Sequence, residues 1–389
     1  MERLSAELQH GNGRASSGRE TGIAPEASLI VVRLGRKGRE SFARTTEIMR
    51  AFKYIIDKAK SLNMPVAINL SFGTNDGSHD GKSLFETYID DMARRWKSSI
   101  VVAAGNEGAA GHHFSSQISQ GETIKVDFAT SGNLESLYIA LWKDFSDLFT
   151  FELITPSGLS TGVIDLNGYS KSIDIEGITI QSYFGQPNHY NESQEIYFFL
   201  KGKDSTIPIG LWTIVVNSIT VTDGRFDMWL PTIEEVSYGT AFSKPSTSST
   251  VTLPSTAMNV ISVGGYNSHL DSATLFSGRG YTRGNSLLKP DLVAPSVDIL
   301  TTKMAGGYDS FTGTSIAAPF VTGAAALMME WGIVKKNDNF LYGQRIKAFL
   351  RKGATRDYII EYPNPIWGYG SLCLKDTMDY LVNYIGGNL

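Results

Sequence analysis

The spacing of apolar residues changes character twice along this 389-residue chain. Over residues 44–62, Ile48, Met49, Phe52, Ile55, Ile56 and Ala59 recur at helical spacing. Residues 28–35 (Ser-Leu-Ile-Val-Val-Arg-Leu-Gly), 65–72 and 99–104 are instead short apolar runs, the pattern of strands buried on both faces. A second helix is predicted at 83–97. Strand, helix, strand alternation implies a parallel sheet with right-handed crossovers. In such sheets function gathers at the carboxyl ends of strands, and Gly73 and Gly105 mark two of those ends.

From about residue 114 to 244 the period drops to two. Strands are predicted at 134–142, 149–155, 195–200, 210–216 and 225–230, separated by turns such as Pro156-Ser157-Gly158 and Thr222-Asp223-Gly224. This stretch is expected to be an inserted all-β sandwich of jelly-roll type. The polar linker 243–250 closes it, and residues 257–265 resume the parallel sheet. The predicted organisation is an α/β part at 1–113, the insert at 114–244 and a second α/β part at 245–389.

Residues 311–329 read as a glycine-pinned turn entering an apolar helix. Pro319 fits only a first turn, where a missing N–H costs nothing. Gly323, Ala324, Ala325 and Ala326 are small enough for tight interior packing. Ser315 falls at the helix start, near free backbone N–H groups and the positive dipole end. That is where a nucleophile with an oxyanion site is wanted. It is equally where an ordinary N-cap serine sits, and this stretch alone leaves both readings open.

A second stretch adds to the first. Residues 99–108, Ser-Ile-Val-Val-Ala-Ala-Gly-Asn-Glu-Gly, form a buried strand ending in a glycine turn that presents Asn106. Together, Ala103-Ala104-Gly105-Asn106 and Gly313-Thr314-Ser315-Ile316-Ala317-Ala318-Pro319 resemble the subtilisin-like serine proteases. Ile68-Asn69-Leu70-Ser71-Phe72-Gly73 resembles the family's substrate-pairing strand. Phe276-Ser277-Gly278-Arg279-Gly280 and Lys289-Pro290-Asp291-Leu292-Val293-Ala294-Pro295 resemble the segments preceding its nucleophile. The motifs stand in family order over residues 11–113 and 245–372. A β-sandwich between the asparagine and serine motifs makes the chain most similar to the Csp-type members linked to clostridial spore germination. The resemblance implies a subtilisin-like parallel sheet with helices on both faces. It implies Ser315 as nucleophile, and the Asn106 amide with the Ser315 N–H as oxyanion donors. Ser71, Phe72, Gly73, Ala103, Ala104 and Gly105 would then bind a peptide or protein substrate. The insert is expected to act as a structural clamp, or else as a carbohydrate- or partner-binding module.

The family's triad also needs an Asp and a His ahead of the serine, and neither motif is present. Counting back from Gly11-Asn12-Gly13, the family histidine falls at about Met1. His10 comes too late, His112 and His113 follow the oxyanion turn, and His79, His189 and His269 lack a supporting motif. Residues 1–10 carry Glu2, Arg3, Glu7, Gln9 and His10 where the family has a small, apolar helix. If the Met1 codon is preceded by C and the bases are read one position earlier, codon degeneracy allows His-Gly-Thr-Ala-Val-Ser-Gly-Ile-Ala-Ala. The expectation is a start inside the histidine codon of a frameshifted or misassembled protease gene. The alternative is a true amphipathic helix with Leu4 and Leu8 on one face.

Composition narrows the rest. A net charge of −4 and 42% hydrophobic residues describe an ordinary globular chain, with nothing basic enough for nucleic acid. No run of about 18 apolar residues suggests a membrane span. One cysteine, Cys373, excludes an internal disulfide framework. No histidine pair has metal-ligand spacing, and no cofactor is expected. The expected function is a serine endopeptidase whose 389 residues alone are inactive. The rival is a non-catalytic pseudoprotease that binds a peptide or protein partner. Oligomeric state and compartment have no signal in the sequence.

Overall fold

The computed structural model describes residues 2–34, 44–165, 167–203, 206–285, 287–303 and 306–387. In chain order the first elements are α1 (Glu2–His10), α2 (Thr45–Ser61), β1 (Val66–Leu70), α3 (Leu84–Arg94) and β2 (Ser98–Ala103). An all-β run follows: β3 (His113–Gln117), β4 (Thr123–Thr130), β5 (Ser136–Asp144), β6 (Leu148–Ile154), β7 (Ser170–Ile175), β8 (Ile178–Phe184), β9 (Ser193–Gly202), β10 (Gly210–Thr220), β11 (Arg225–Trp229) and β12 (Ala241–Phe242). The chain ends with β13 (Ile261–Asn267), β14 (Ser272–Ala273), β15 (Leu292–Pro295), β16 (Ile299–Thr302), β17 (Tyr308–Phe311), α4 (Thr314–Met329), α5 (Gln344–Lys352) and α6 (Leu374–Ile385).

These elements form two units, one of residues 1–73, 84–105 and 251–389, the other of residues 74–83 and 106–250. The division therefore falls at 105/106 and 250/251 rather than at 113/114 and 244/245. The loop 74–83 joins the β unit because its side chains are bonded there. Asn75 Nδ2 donates to Leu230 O at 2.9 Å, and Asn191 Nδ2 donates to Asp80 Oδ2 at 2.9 Å.

In the first unit β1, β2, β13 and β15 run parallel, in the order β1-β2-β13-β15. The short β14 pairs antiparallel with β13. All six residues of β2 are buried, which is why its sequence is a continuous apolar run rather than an alternation. One face packs on α4, α5 and α6 through Val101, Ala103, Val263, Leu292, Val321, Leu350 and Leu381. The other packs on α2 and α3 through Ile68, Ile100, Val102, Phe52, Ile56 and Ile89. Helix α4 runs on into a π turn at Glu330–Val334. Thr314–Val334 is long and apolar enough by composition to cross a membrane, but 72% of its most apolar window is buried inside the protein as a core helix.

One expected strand is absent. Residues 28–34 form no regular element, and no ladder or backbone hydrogen bond joins them to another segment among the described residues; Gly35 lies outside these. Burial alternates instead of being continuous, with Leu29 50% and Val31 57% exposed. Among the described residues β1 pairs with β2 alone, so its other edge stays unpaired by this segment. An apolar run becomes a buried strand only where both its edges and both its faces are covered.

The second unit has two antiparallel sheets, β12-β4-β10-β6 and β3-β11-β5-β9-β8-β7. Their inward residues share one core containing Phe128, Phe151, Trp212, Ile139, Phe198 and Phe226. The ends of the expected strands hold to within two residues, except that β10 runs four residues beyond its expected end. β3, β4, β7 and β8, which carry polar residues on their outer faces, and the two-residue β12 lie outside the strands expected from the sequence. β7, Ser-Lys-Ser-Ile-Asp-Ile, is a sheet edge with no fully buried residue.

Candidate active site

The nucleophile candidate is set by its helix. Gly313 precedes α4 with φ 145°, a conformation that favours glycine, and its N–H donates to Ser296 O at 2.9 Å. Ile316 N–H closes the first turn on Gly313 O at 3.0 Å. Ser315 is therefore in the first turn, half-buried, where backbone N–H groups point outward. A Cβ on Gly323 would come within 2.5 Å of Ile23 Cβ, so that glycine is what lets residues 22–24 lie against the helix. Ile23 and Ala24 in turn donate to Leu8 O (3.0 Å) and Gln9 O (2.7 Å) at the end of α1. Leu8 packs on Ile316.

The strand ends approach the same helix. Ser71 Oγ donates to the carbonyl of Ser315 at 2.9 Å and accepts from Asn69 Nδ2 at 3.0 Å. Thr322 Oγ1 reaches Asn69 Oδ1 at 3.2 Å and Ala318 O at 3.1 Å. Ser71, Phe72 and Gly73 are half-buried, whereas Ala103 and Ala104 are buried in the sheet. The space left by small residues at the strand ends is filled by Thr252. A Cβ on Gly73 would overlap its hydroxyl, and one on Gly105 would come within 2.5 Å of its methyl. Thr252 N–H donates to Ala104 O at 3.0 Å, and Gly278 N–H donates to Gly105 O at 2.9 Å. Thus the Phe276–Gly280 motif buttresses the turn that leads to Asn106. Asn106 itself opens the second unit, where its Nδ2 donates to Glu234 Oε1 at 3.0 Å.

The histidines are engaged elsewhere. In the first unit His10 donates from Nδ1 to Ala24 O at 3.2 Å, and burial lowers its pKa below the usual imidazole value, with that bond opposing. His269 is exposed in the β13–β14 turn, and among the described residues neither ring is hydrogen-bonded to Ser315. In the second unit His112 contacts Glu107 Oε2 at 2.6 Å and Thr240 O at 2.9 Å. His113 contacts Ser248 O at 2.6 Å and Asp227 Oδ1 at 3.0 Å. His79 and His113 both stack on Trp229, at 4.2 and 4.6 Å. Among the described residues no group of three or more His, Cys, Asp or Glu side chains lies together as a metal site.

Sequence reasoning missed Thr252, Thr322 and the side chain of Asn69. Asn69 and Thr322 did leave a trace, as single polar residues inside otherwise apolar segments.

The subtilase family profile matches residues 5–199 and 212–370. The solved structure of the Clostridium perfringens CspB protease superposes with a TM-score of 0.90 at 37% identity, covering 98% of this chain and 79% of that one. An intracellular serine protease of Paenibacillus polymyxa is 42% identical over 98 residues, 24% of this chain and 28% of that protein. Subtilisin-like protease SBT6.1 of Arabidopsis thaliana is 30% identical over 141 residues, 35% of this chain and 13% of that protein. The matched stretches thus span under a third of the length of these curated relatives. The chain belongs to the subtilase family of serine proteases, with a Csp-type subtilisin-like fold.

Proposed function

We propose that this protein is built as a serine endopeptidase with Ser315 as nucleophile. The Ser315 N–H would act as an oxyanion donor. The observation that carries the proposal is the seat of Ser315 in the first turn of a buried helix, fixed by a strand end that carries the substrate-pairing motif. An extended peptide or protein segment would add to Ser71-Phe72-Gly73, with Ala103, Ala104 and Gly105 flanking its side chain. Attack of the Ser315 hydroxyl on a carbonyl gives a tetrahedral oxyanion. One such donor contributes about 2.7–4 kcal/mol, a figure measured on subtilisin itself. The two antiparallel sheets around one core support a jelly-roll-like insert with a structural role.

The hydroxyl needs a base. Loss of the triad histidine in subtilisin costs about 2 × 10⁶ in kcat. The engagement of His10 with Ala24 favours the reading that these 389 residues alone are inactive and hold a peptide without cutting it. A serine-directed fluorophosphonate probe tests this. The expected result is no labelling above a Ser315→Ala control. Clear Ser315-dependent labelling would show a working base and overturn the inactivity. An ester hydrolysis that imidazole stimulates in the wild type but not in Ser315→Ala would support the nucleophile.

A further inference from the structure

Pro319 creates a vacancy in the helix that carries the nucleophile. In an α-helix the carbonyl of residue 315 accepts from the N–H of residue 319. Residue 319 is proline and has none. The carbonyl of Ser315 is therefore an orphan inside the first turn, and Ser71 Oγ fills the place at 2.9 Å. The hydroxyl has one hydrogen to give, and its direction is fixed. Asn69 Nδ2 donates to Ser71 Oγ, which leaves the Ser71 hydrogen for Ser315. The Asn69 side-chain oxygen faces Thr322 Oγ1 at 3.2 Å, whose single hydrogen it shares with Ala318 O at 3.1 Å. Thr322 and Ser315 are both on α4, seven positions apart, on the same face. The chain of bonds thus leaves the helix at Thr322, crosses the end of β1 and returns to the helix at Ser315.

We propose that Ser71 is a positioning residue whose hydroxyl, held by Asn69 and Thr322, replaces the N–H missing at Pro319 and thereby fixes the nucleophile. This deepens the serine-hydrolase reading and rests on it for the role of Ser315. It means that one residue holds both the strand offered to substrate, through its backbone, and the nucleophile's peptide plane, through its side chain. Movement of that strand end on peptide binding is then passed to Ser315 by a single bond.

The test is a double-mutant cycle that needs no catalysis. Ser71→Ala alone leaves the Ser315 carbonyl unpaired and is expected to lower the melting temperature by about 2–4 °C for a unit of this size. In a Pro319→Ala background the new N–H takes the carbonyl, and the same Ser71→Ala change is expected to cost little. Ser71→Thr, which keeps the hydroxyl, is expected to stay close to wild type. Equal losses in both backgrounds would overturn the proposal. The second readout is the thiol introduced by Ser315→Cys, with Cys373→Ser to remove background. Its alkylation rate as a function of pH is expected to change at least severalfold on Ser71→Ala and to return with Pro319→Ala. A fall in melting temperature with an unchanged thiol profile would make Ser71 merely structural and overturn the positioning role. Failure of the imidazole-stimulated ester assay to implicate Ser315 would instead remove the enzymatic reading and leave the cycle untouched.

Discussion

At the scale of single residues, the turn after β2 depends on what glycine alone allows. Gly105 has φ +89°, and a Cβ there would press on Thr252. Gly105→Ala combines left-handed strain with overpacking and is expected to cost roughly 2–4 kcal/mol in chemical denaturation. Thr252→Ser should recover only the part due to the methyl. A loss below about 0.5 kcal/mol, the range of neutral surface changes, would show that the turn relaxes freely. The sequence displayed Gly105, Asn106 and Ser315 because each sits in a short contiguous motif whose turn chemistry is local. It did not display the side-chain role of Ser71, because its partner Ser315 is 244 positions away and the need for it arises from a third residue, Pro319. Thr252 escaped for the same reason: its function is to occupy space beside glycines distant in sequence.

At the scale of elements, α2, β1, α3, β2 and α4 were readable because periodicity and burial agree in them. Residues 28–34 show where that agreement ends. Their composition is that of a buried strand, but composition does not supply a neighbour. The result is an apolar segment with Leu29 and Val31 exposed, together with a β1 edge that no strand pairs among the described residues. Unpaired edges recruit other strands. The protein is therefore expected to self-associate as concentration rises, by light scattering or sedimentation velocity. Leu29→Lys with Val31→Lys, placing charge on the two exposed apolar positions, should reduce that association severalfold without lowering the melting temperature. Association unchanged by both lysines would place the sticky surface elsewhere.

At the scale of the whole molecule, both units bury lysines, and the consequence is a pH dependence that runs against habit. Lys347 lies with Lys289 and Arg351 around the buried Asp291, with Nζ 3.3 Å from Asp291 Oδ1. Burial lowers its pKa to about 7, opposed by Asp291 and assisted by the other two cations. In the second unit Lys143, bonded to the carbonyls of Asp144 and Asp147, is lowered by burial to about 8. A base whose folded pKa is depressed binds protons more weakly folded than unfolded. Its contribution to stability is present above the ordinary lysine value, 10.5, and is lost as pH falls through about 8 for Lys143 and about 7 for Lys347. Glu195 has the opposite shift in the same unit as Lys143. Burial raises it to about 7, with Asp76 adding to the effect, so its contribution is present below 4.5 and lost as pH rises through about 7. The second unit should therefore be least stable between about 7 and 8 with respect to these two groups, and the first unit should gain stability from pH 7 to 10. Each lysine is expected to supply roughly 3–5 kcal/mol across its window. Hydrogen exchange read by mass spectrometry in guanidinium follows each unit through its own peptides. Lys347→Met should flatten the alkaline rise in peptides of 84–105 and 251–387. Lys143→Met should do so in peptides of 106–250, where Glu195→Gln should remove the fall between pH 4.5 and 7. An alkaline rise that survives both lysine substitutions would mean that the ammonium groups stay charged on their carbonyl acceptors, and that burial is compensated by hydrogen bonding.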